Sequence, residues 1–198
     1  MALILASQSP RRKQLLALLT PCFTVCEAGV DEQGFSAGSP AGQAKILAKA
    51  KAAAVSLTHP SDVVLGCDTV VEIGGKTLGK PATPAEAAAM LRALSGQSHL
   101  VHTGVCLFMP GQKEAAAWFA ETSRVTFAAL SDAEISAYIA TGEPFDKAGG
   151  YGVQGAAARF VTRIEGCYFN VMGLPVSALY QAFKGLGLLD GQGSWAAD

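Results

Sequence analysis

Two adjacent arginines follow a helix start near the amino terminus. The segment LILASQSPRRKQLLALL begins at Leu3, and within it Ser9 is a favoured N-cap and Pro10 suits the first helical position. Arg11 and Arg12 then lie at the positive end of the helix dipole, where each cation costs about 0.3 kcal/mol or more. A bound anion is the simplest compensation, because hydroxyl, guanidinium and backbone N–H donors at a helix start suit a phosphate group. A solvated arginine pair beside an ordinary cap is the alternative.

Three carboxylates lie close to predicted strands or loops. Asp68 closes the apolar run DVVLGCD, and we expect it at the carboxyl end of a strand, where open α/β sheets bind ligands. A carboxylate there can hold a metal or accept a proton from water, with a turn residue as the alternative. Asp31 and Glu32 lie in an earlier loop and can supply further oxygen ligands to a hard cation such as Mg²⁺. The alternative is a loop whose carboxylates contact only solvent.

Two lysines extend this polar set. Lys51 continues an apolar stripe at helical spacing, so it leaves the buried face of its helix and either enters the site or passes the edge of the core to reach solvent. Lys80 follows a predicted hairpin, from which it can reach the pocket that holds Asp68.

The segment FDKAGGYGVQG combines glycines with polar side chains. The glycines allow a ligand to approach the backbone closely, although a tight loop requires them equally. The amide of Gln154 can donate and accept, which suits recognition of a nucleobase edge. With the cations and carboxylates, this segment indicates a site for a metal-bound polyphosphate that carries a base.

Alternating strand-like and helix-like segments must position these residues. Apolar periodicity, capping residues and glycine turns predict an α/β protein with a mixed, twisted sheet flanked by helices. A hairpin is expected around the pair Gly74 and Gly75, and a loop through NVMGLP. The predicted strands cover residues 3–5, 62–68, 98–108, 115–127 and 160–164, and the predicted helices cover 10–19, 40–55, 84–94, 131–142 and 176–186.

Composition limits the class of protein. The chain has 198 residues, a net charge of -1 and 50% hydrophobic residues, so one compact domain over residues 1–189 is expected, followed by a poorly ordered tail over 190–198. The lack of basic excess disfavours a nucleic-acid partner. Because no apolar run approaches about 18 residues, we expect no membrane segment and a cytoplasmic location. A homodimer is compatible with the sequence.

Cysteine and histidine spacing does not favour a metal or redox site. Five cysteines are scattered without a C-x-x-C pair, which favours reduced, structural thiols over zinc or disulfide chemistry. His99 and His102 fall on opposite faces of a predicted strand, so a shared metal is not expected.

Five ordered motifs closely resemble the Maf family of nucleoside triphosphate pyrophosphatases: LASQSPRRKQLL, VDE, GCDTVV, GKTLGKP and FDKAGGYGVQG. The resemblance extends over nearly the whole chain, to GLP. It implies a fold like that of the inosine triphosphate pyrophosphatases, with a cleft between two lobes. It also implies cleavage between the α and β phosphates, giving a monophosphate and pyrophosphate, with Mg²⁺ or Mn²⁺ as cofactor.

The resemblance also implies roles for individual residues. Asp68 corresponds to the proton acceptor that activates water and to a metal ligand, and Glu32 to a metal or water ligand. Phosphate binding is implied for Ser9, Arg12, Lys51 and Lys80. Members acting on dTTP and UTP carry the residue types of Arg11, Thr69 and Gln154, whereas the 7-methyl-GTP group has Trp, Gln and Glu there.

Two departures and several alternatives accompany this resemblance. Many relatives carry Glu at the positions of Ala50 and Gly79, so an altered charge balance or metal affinity is expected. The alternative substrates are 7-methyl-GTP and modified pyrimidine triphosphates, which would be removed in housecleaning of nucleotide pools. A non-enzymatic regulator of septum formation and division is the alternative of a different class.

Overall fold

The computed structural model describes residues 1–31, 35 and 37–196. The strands are β1 (Leu3–Leu5), β2 (Thr24–Val25), β3 (Val63–Ile73), β4 (Lys76–Leu78), β5 (Ser98–Phe108), β6 (Ala117–Phe127) and β7 (Val161–Glu165). The α-helices are α1 (Pro10–Leu16), α2 (Pro40–Ser56), α3 (Pro84–Leu94), α4 (Asp132–Ile139), α5 (Tyr168–Met172) and α6 (Val176–Gly185). Short 3₁₀ helices lie between α4 and β7, over Glu143–Asp146, Ala148–Gly150 and Ala156–Phe160. The predicted mixed α/β class is confirmed.

The described strands form one sheet with a gap along one edge of β3. Their order is β2-β1-β3-β5-β6-β7, with β4 also paired to β3. β5 occupies one edge of β3, so β1 and β4 share the other edge. β1 pairs in parallel with residues 63–65 and β4 pairs antiparallel with residues 71–73. Among the strands of the described residues, none pairs with residues 66–70 on that edge, and a cleft opens there.

Helix α2 lies directly on one face of the sheet. A Cβ atom on Gly66 would lie 2.2 Å from the carbonyl oxygen of Ala48, and one on Gly104 would lie 2.1 Å from that of Ala44. Both distances are far shorter than a van der Waals contact, so glycine is required for this approach. The other face carries the larger core, to which α1, α3, α4 and α6 contribute buried residues.

Helix starts follow the capping chemistry that the sequence predicts. The N-cap side chain accepts a backbone N–H of the first helical turn at Ser9, Ser39, Thr83 and Ser131. At α4 the reciprocal capping box is complete. At α3 the Glu86 carboxylate instead accepts the N–H of Ala82, at 2.7 Å, so the capping box predicted there is only half formed.

The hairpin between β3 and β4 is confirmed. Gly74 and Gly75 have φ angles of 56° and 77°, as a primed two-residue turn requires. Because this turn matches the twist of the strands, it brings β4 back along β3 and carries the following residues to the rim of the cleft.

Several predicted boundaries differ from the structure. The helix expected over 10–19 ends at Leu16 and continues as a turn over residues 17–19. Pro21 disfavours helical geometry at Thr20 and so prevents a longer helix. The short strand β2 was not predicted, and the loop expected through NVMGLP contains the end of α5. Each of these short elements depends on contacts with distant residues, which local periodicity does not contain.

The segment expected as a poorly ordered tail makes two contacts with the rest of the chain. Leu189 and Trp195 form an antiparallel bridge, and Trp195 packs edge-on against Phe183 with the ring centroids 5.2 Å apart. A buried aromatic ring adds a large apolar area to the core. Residues 197–198 lie outside the described part, and the domain boundary at 189 stays a prediction.

Two of the cysteines lie in the core. Cys67 and Cys106 are buried, and burial raises the pKa of each thiol to about 12. All five cysteines are free. A thiol with such a raised pKa is a poor nucleophile at neutral pH, which agrees with a structural role for these two residues.

Candidate functional site

A cleft of about 980 Å³ opens at the gap beside β3. Its walls come from the β1–α1 junction, α2, β4 and the glycine-rich segment after α4. Eight of the predicted site residues line this cleft: Ser9, Arg11, Arg12, Lys51, Asp68, Thr69, Lys80 and Gln154. Asp31, the carboxylate that the sequence offered beside Glu32, is not part of the lining. Glu32 lies outside the described residues. The cleft therefore unites residues that are up to 145 positions apart in the sequence, from 9 to 154.

Asp68 and Lys51 form an ion pair in the cleft. Lys51 Nζ lies 2.5 Å from Asp68 Oδ1, and the two side chains are only 13% and 10% exposed. The prediction that Asp68 ends a strand is wrong, because it lies in the middle of the eleven-residue β3. It reaches the cleft because, within the described sheet, the edge of β3 opposite β5 has no strand partner at this point. Of the two alternatives for Lys51, the structure supports entry into the site.

Arg12 is held by neutral oxygen atoms. Its Nε donates to the carbonyl of Gly173 at 3.0 Å, and its terminal nitrogens donate to Ser7 Oγ and Thr69 Oγ1, each at 3.1 Å. Among the described residues, no carboxylate forms an ion pair with this guanidinium. A fixed, partly buried and unneutralised guanidinium is well suited to bind an anion.

Arg11 has a different partner. Its guanidinium lies 3.3 Å from Asp146 Oδ2, and Lys147 Nζ lies 2.6 Å from the other oxygen of the same carboxylate. Partial burial disfavours the charged carboxylate, but the two cations outweigh it and hold the pKa of Asp146 below its ordinary value. Arg11 thus connects the start of α1 to the glycine-rich segment across the cleft.

The remaining predicted residues lie at the edges of the cleft. Ser9 caps α1, accepting the N–H of Arg12 at 3.5 Å, so its hydroxyl and the helix start face the same space. Lys80 and Gln154 are exposed on the walls. Gly79, next to Lys80, accepts the N–H of Gly149 through its carbonyl, at 2.9 Å.

Glu143, which the sequence did not indicate, organises the glycine-rich segment. Its carboxylate accepts the hydroxyl of Tyr138 at 2.9 Å and the N–H of Ala156 at 2.9 Å. A Cβ atom on Gly155 would lie 2.1 Å from Glu143 Oε1, so glycine at 155 leaves room for this carboxylate. At Gly155, the group that approaches the glycine backbone closely is therefore a side chain of the protein rather than a ligand.

His99 supports the same segment from the sheet. Its Nε2 lies 2.7 Å from the hydroxyl of Tyr151, and its ring packs edge-on against Tyr151 and Phe127. Burial lowers the pKa of His99 to about 4. His102 lies on the other face of β5, with Glu72 at 2.7 Å, as the strand periodicity predicted. His99 thus has a structural role next to the cleft.

The sequence also gave no indication that Thr103 and Gly173 belong to the site. Thr103 is fully buried beneath Thr69, and Gly173 provides a carbonyl to Arg12. Gly173 has a φ of 117°, which favours glycine, and its place in NVMGLP was the one available signal. No local pattern marks a buried threonine as part of a site.

The donor set fits a divalent cation that arrives with phosphate groups. Among the described residues, no three His, Cys, Asp or Glu side chains converge to form a closed metal site. Mg²⁺ is usually held by one or two carboxylates, substrate phosphate oxygens and water. Asp68, a cleft carboxylate surrounded by phosphate-compatible cations, fits such a shared coordination.

Comparisons with known proteins agree on one family. A family model described as Maf-like protein matches residues 2–186. A dTTP/UTP pyrophosphatase of Geobacillus sp. (strain WCH70) is 51% identical over 93% of this chain and 98% of the relative. Proteins of the same name from Koribacter versatilis and Halalkalibacterium halodurans are each 49% identical, over 96% and 92% of this chain and 96% and 94% of the relatives.

One solved structure aligns with part of this chain. A HAM1 protein from Coxiella burnetii aligns with a TM-score of 0.41 and 20% identity, over 65% of this chain and 74% of that chain.

Within the described residues, every helix is too short or too polar to cross a bilayer.

Proposed function

Since the chain belongs to the Maf family, we propose that it hydrolyses dTTP and UTP to the nucleoside monophosphate and pyrophosphate. Modified pyrimidine triphosphates belong to the same substrate class, and removing them from nucleotide pools is the proposed cellular task. The observation that carries this proposal is the Arg12 guanidinium, which neutral acceptors orient toward a cleft that also contains Lys51 and Asp68.

The cations of the cleft bind the polyphosphate. Arg12 and Lys80, with the Ser9 hydroxyl and the start of α1, contact phosphate oxygens, and Lys51 adds charge beside Asp68. Negative charge grows on the pyrophosphate leaving group as the bond to the α phosphorus breaks. Cations fixed in advance stabilise this charge without reorganising during the reaction.

Asp68 acts as the proton acceptor for the attacking water. Lys51, 2.5 Å away, holds the carboxylate in place. Asp68 and Glu32 would hold Mg²⁺ or Mn²⁺ together with phosphate oxygens, and such an ion would offset negative charge on the phosphates. Arg11, Thr69 and Gln154 select the base, for which neutral hydroxyl and amide groups suit a pyrimidine edge. A cytoplasmic location and a homodimer stay predictions.

Pyrophosphate release tests this proposal. The wild-type protein is assayed with Mg²⁺ against dTTP, UTP, CTP, 7-methyl-GTP and modified pyrimidine triphosphates, and we expect release from dTTP and UTP above the others. Asp68→Asn preserves shape but removes the proton acceptor, so kcat should fall by about 10³-fold. Asp62→Asn, outside the cleft, is the matched control. Wild-type turnover by Asp68→Asn would remove the proton-acceptor role, and a protein that binds nucleotides without releasing pyrophosphate would be a regulator instead.

A further inference from the structure

A chain of hydroxyl groups runs beneath the Arg12 guanidinium. Arg12 donates to Thr69 Oγ1 at 3.1 Å, Thr69 Oγ1 lies 3.0 Å from Thr103 Oγ1, and Thr103 Oγ1 lies 3.0 Å from the carbonyl oxygen of Asn170. Thr69 belongs to β3 and Thr103 to β5, where the two residues face each other directly across the pairing. The chain thus connects α1, the centre of the sheet and α5.

Chemistry fixes the direction of every proton in this chain. The Asn170 carbonyl can only accept, so the single hydroxyl proton of Thr103 is used there. The proton between the two threonines must then come from Thr69. The Thr69 hydroxyl is consequently left with lone pairs toward Arg12, whose guanidinium can only donate. All three bonds are therefore polarised in one direction, which strengthens each of them.

The end of the chain is itself rigid. The Asn170 side chain is fully buried, and its Nδ2 donates to the carbonyl of Val101 at 3.0 Å and to Ser123 Oγ at 2.9 Å. Three residues further along, Gly173 accepts from Arg12 Nε. A Cβ atom on Gly173 would lie 3.4 Å from Thr69 Oγ1 and 3.7 Å from Arg12 Nε, so the Thr69 hydroxyl and the guanidinium both pack against this glycine.

We propose that Thr103 is a positioning residue that orients the Arg12 guanidinium for the polyphosphate of the substrate. Thr103 is 0% exposed, so it cannot touch a ligand and acts only through Thr69. Three of the five guanidinium N–H groups bond to described protein oxygens, and the other two are directed by the same planar geometry. The inference rests on the proposed function, in which Arg12 binds phosphate.

The test removes the Thr103 hydroxyl without changing the shape of the side chain. Thr103→Val leaves the Thr69 proton without its acceptor, and we expect kcat/KM for dTTP to fall about tenfold and inorganic pyrophosphate to bind about tenfold more weakly. Thr103→Ser keeps the hydroxyl and should retain most of both. Thr20→Val removes another buried threonine hydroxyl, which accepts from Cys22 N outside the cleft, and should leave both quantities unchanged.

A double-mutant cycle with Arg12→Lys identifies the route of the effect. Lysine cannot form the three-point contact, so Thr103→Val should cause almost no further loss in that background. An equal factor in both backgrounds would overturn the proposal, as would a loss in Thr103→Ser equal to that in Thr103→Val. A changed preference between dTTP and CTP with unchanged pyrophosphate binding would also overturn it.

Pyrophosphate binding separates this inference from the proposed function. If the wild-type protein releases no pyrophosphate from any nucleotide, the proposed function fails, while weaker pyrophosphate binding by Thr103→Val still supports the positioning role. If wild-type turnover is present and Thr103→Val matches it in turnover and in binding, the positioning role fails alone.

Discussion

Arg11 and Arg12 are neighbours in the first turn of α1, but they direct their charges to different partners. Arg11 meets the carboxylate of Asp146, which offsets part of the repulsion from the helix dipole. Arg12 meets three neutral oxygen atoms. Its charge is thus oriented without being neutralised by a described carboxylate. This difference at the scale of single residues supports the proposal that Arg12, rather than Arg11, binds the phosphates.

A paired substitution tests the base-selecting role. Arg11→Trp with Gln154→Glu introduces the residue types of the 7-methyl-GTP group, and the added carboxylate disfavours a neutral pyrimidine edge. We expect kcat/KM for dTTP to fall about tenfold or more relative to 7-methyl-GTP. Arg92→Trp, which removes an arginine paired with Asp132 outside the cleft, serves as the control. An unchanged substrate profile in the paired variant would exclude both positions as specificity determinants.

At the scale of elements, the gap beside β3 creates the site. β1 ends before residue 66 of β3 is reached, and β4 begins to pair only at residue 71. Asp68 and Thr69 point to opposite faces of the strand, yet both line the cleft because it opens at the strand edge. Helix α2 then brings Lys51 to Asp68, and it can do so because Gly66 and Gly104 let its backbone lie against the sheet.

Gly66→Ala tests this contact between helix and sheet. The new methyl group would lie 2.2 Å from Ala48 O and 2.7 Å from Ala52 N, both backbone atoms, so α2 must move away. We expect the free energy of unfolding, measured with urea, to fall by about 3 kcal/mol. Activity should fall as well, because Lys51 moves with the helix. Gly185→Ala, where nothing lies within 4 Å of the added atom, should retain wild-type stability. Equal stability of Gly66→Ala and wild type would contradict the close approach.

At the scale of the whole molecule, His99 couples the sheet to the cleft wall and makes stability depend on pH. The imidazole is 1% exposed, contacts the Tyr151 hydroxyl, and has its pKa lowered to about 4 by burial. In the unfolded chain an ordinary histidine binds a proton near pH 6.5. Between these two values the unfolded state binds more protons, so acid favours unfolding.

We therefore expect the free energy of unfolding to fall as the pH is lowered from 6.5 to 4. The largest loss from this one group is about 3 kcal/mol, from about 2.5 pKa units at 1.36 kcal/mol each. His99→Gln removes this one titrating side chain, so the stability of the variant should change less over the same interval. His59→Gln should keep the wild-type dependence. Urea unfolding at a series of pH values measures all three, and parallel curves for wild type and His99→Gln would refute the assignment.

Much of this protein follows from local sequence. Ser9 with Pro10 fixes the start of α1, and Gly74 with Gly75 fixes the β3–β4 hairpin, because capping and positive φ angles depend on adjacent residues. The ordered motifs indicated the family and named the polar residues that the cleft contains. The structure brings eight of them to one cleft, although no contact between Lys51 and Asp68 is visible in their spacing.

Tertiary structure decided the features that depend on distant partners. The position of Asp68 inside β3, the burial of Trp195 against Phe183 and the hydroxyl chain through Thr103 all join residues from separate elements. The periodicity of apolar residues indicates which side chains are buried, but it does not show where the neighbouring strand ends. The sequence by itself therefore determined most of the longer elements and the types of polar side chain that line the cleft. Only the packing of those elements left one edge of β3 open and placed an oriented guanidinium beside it.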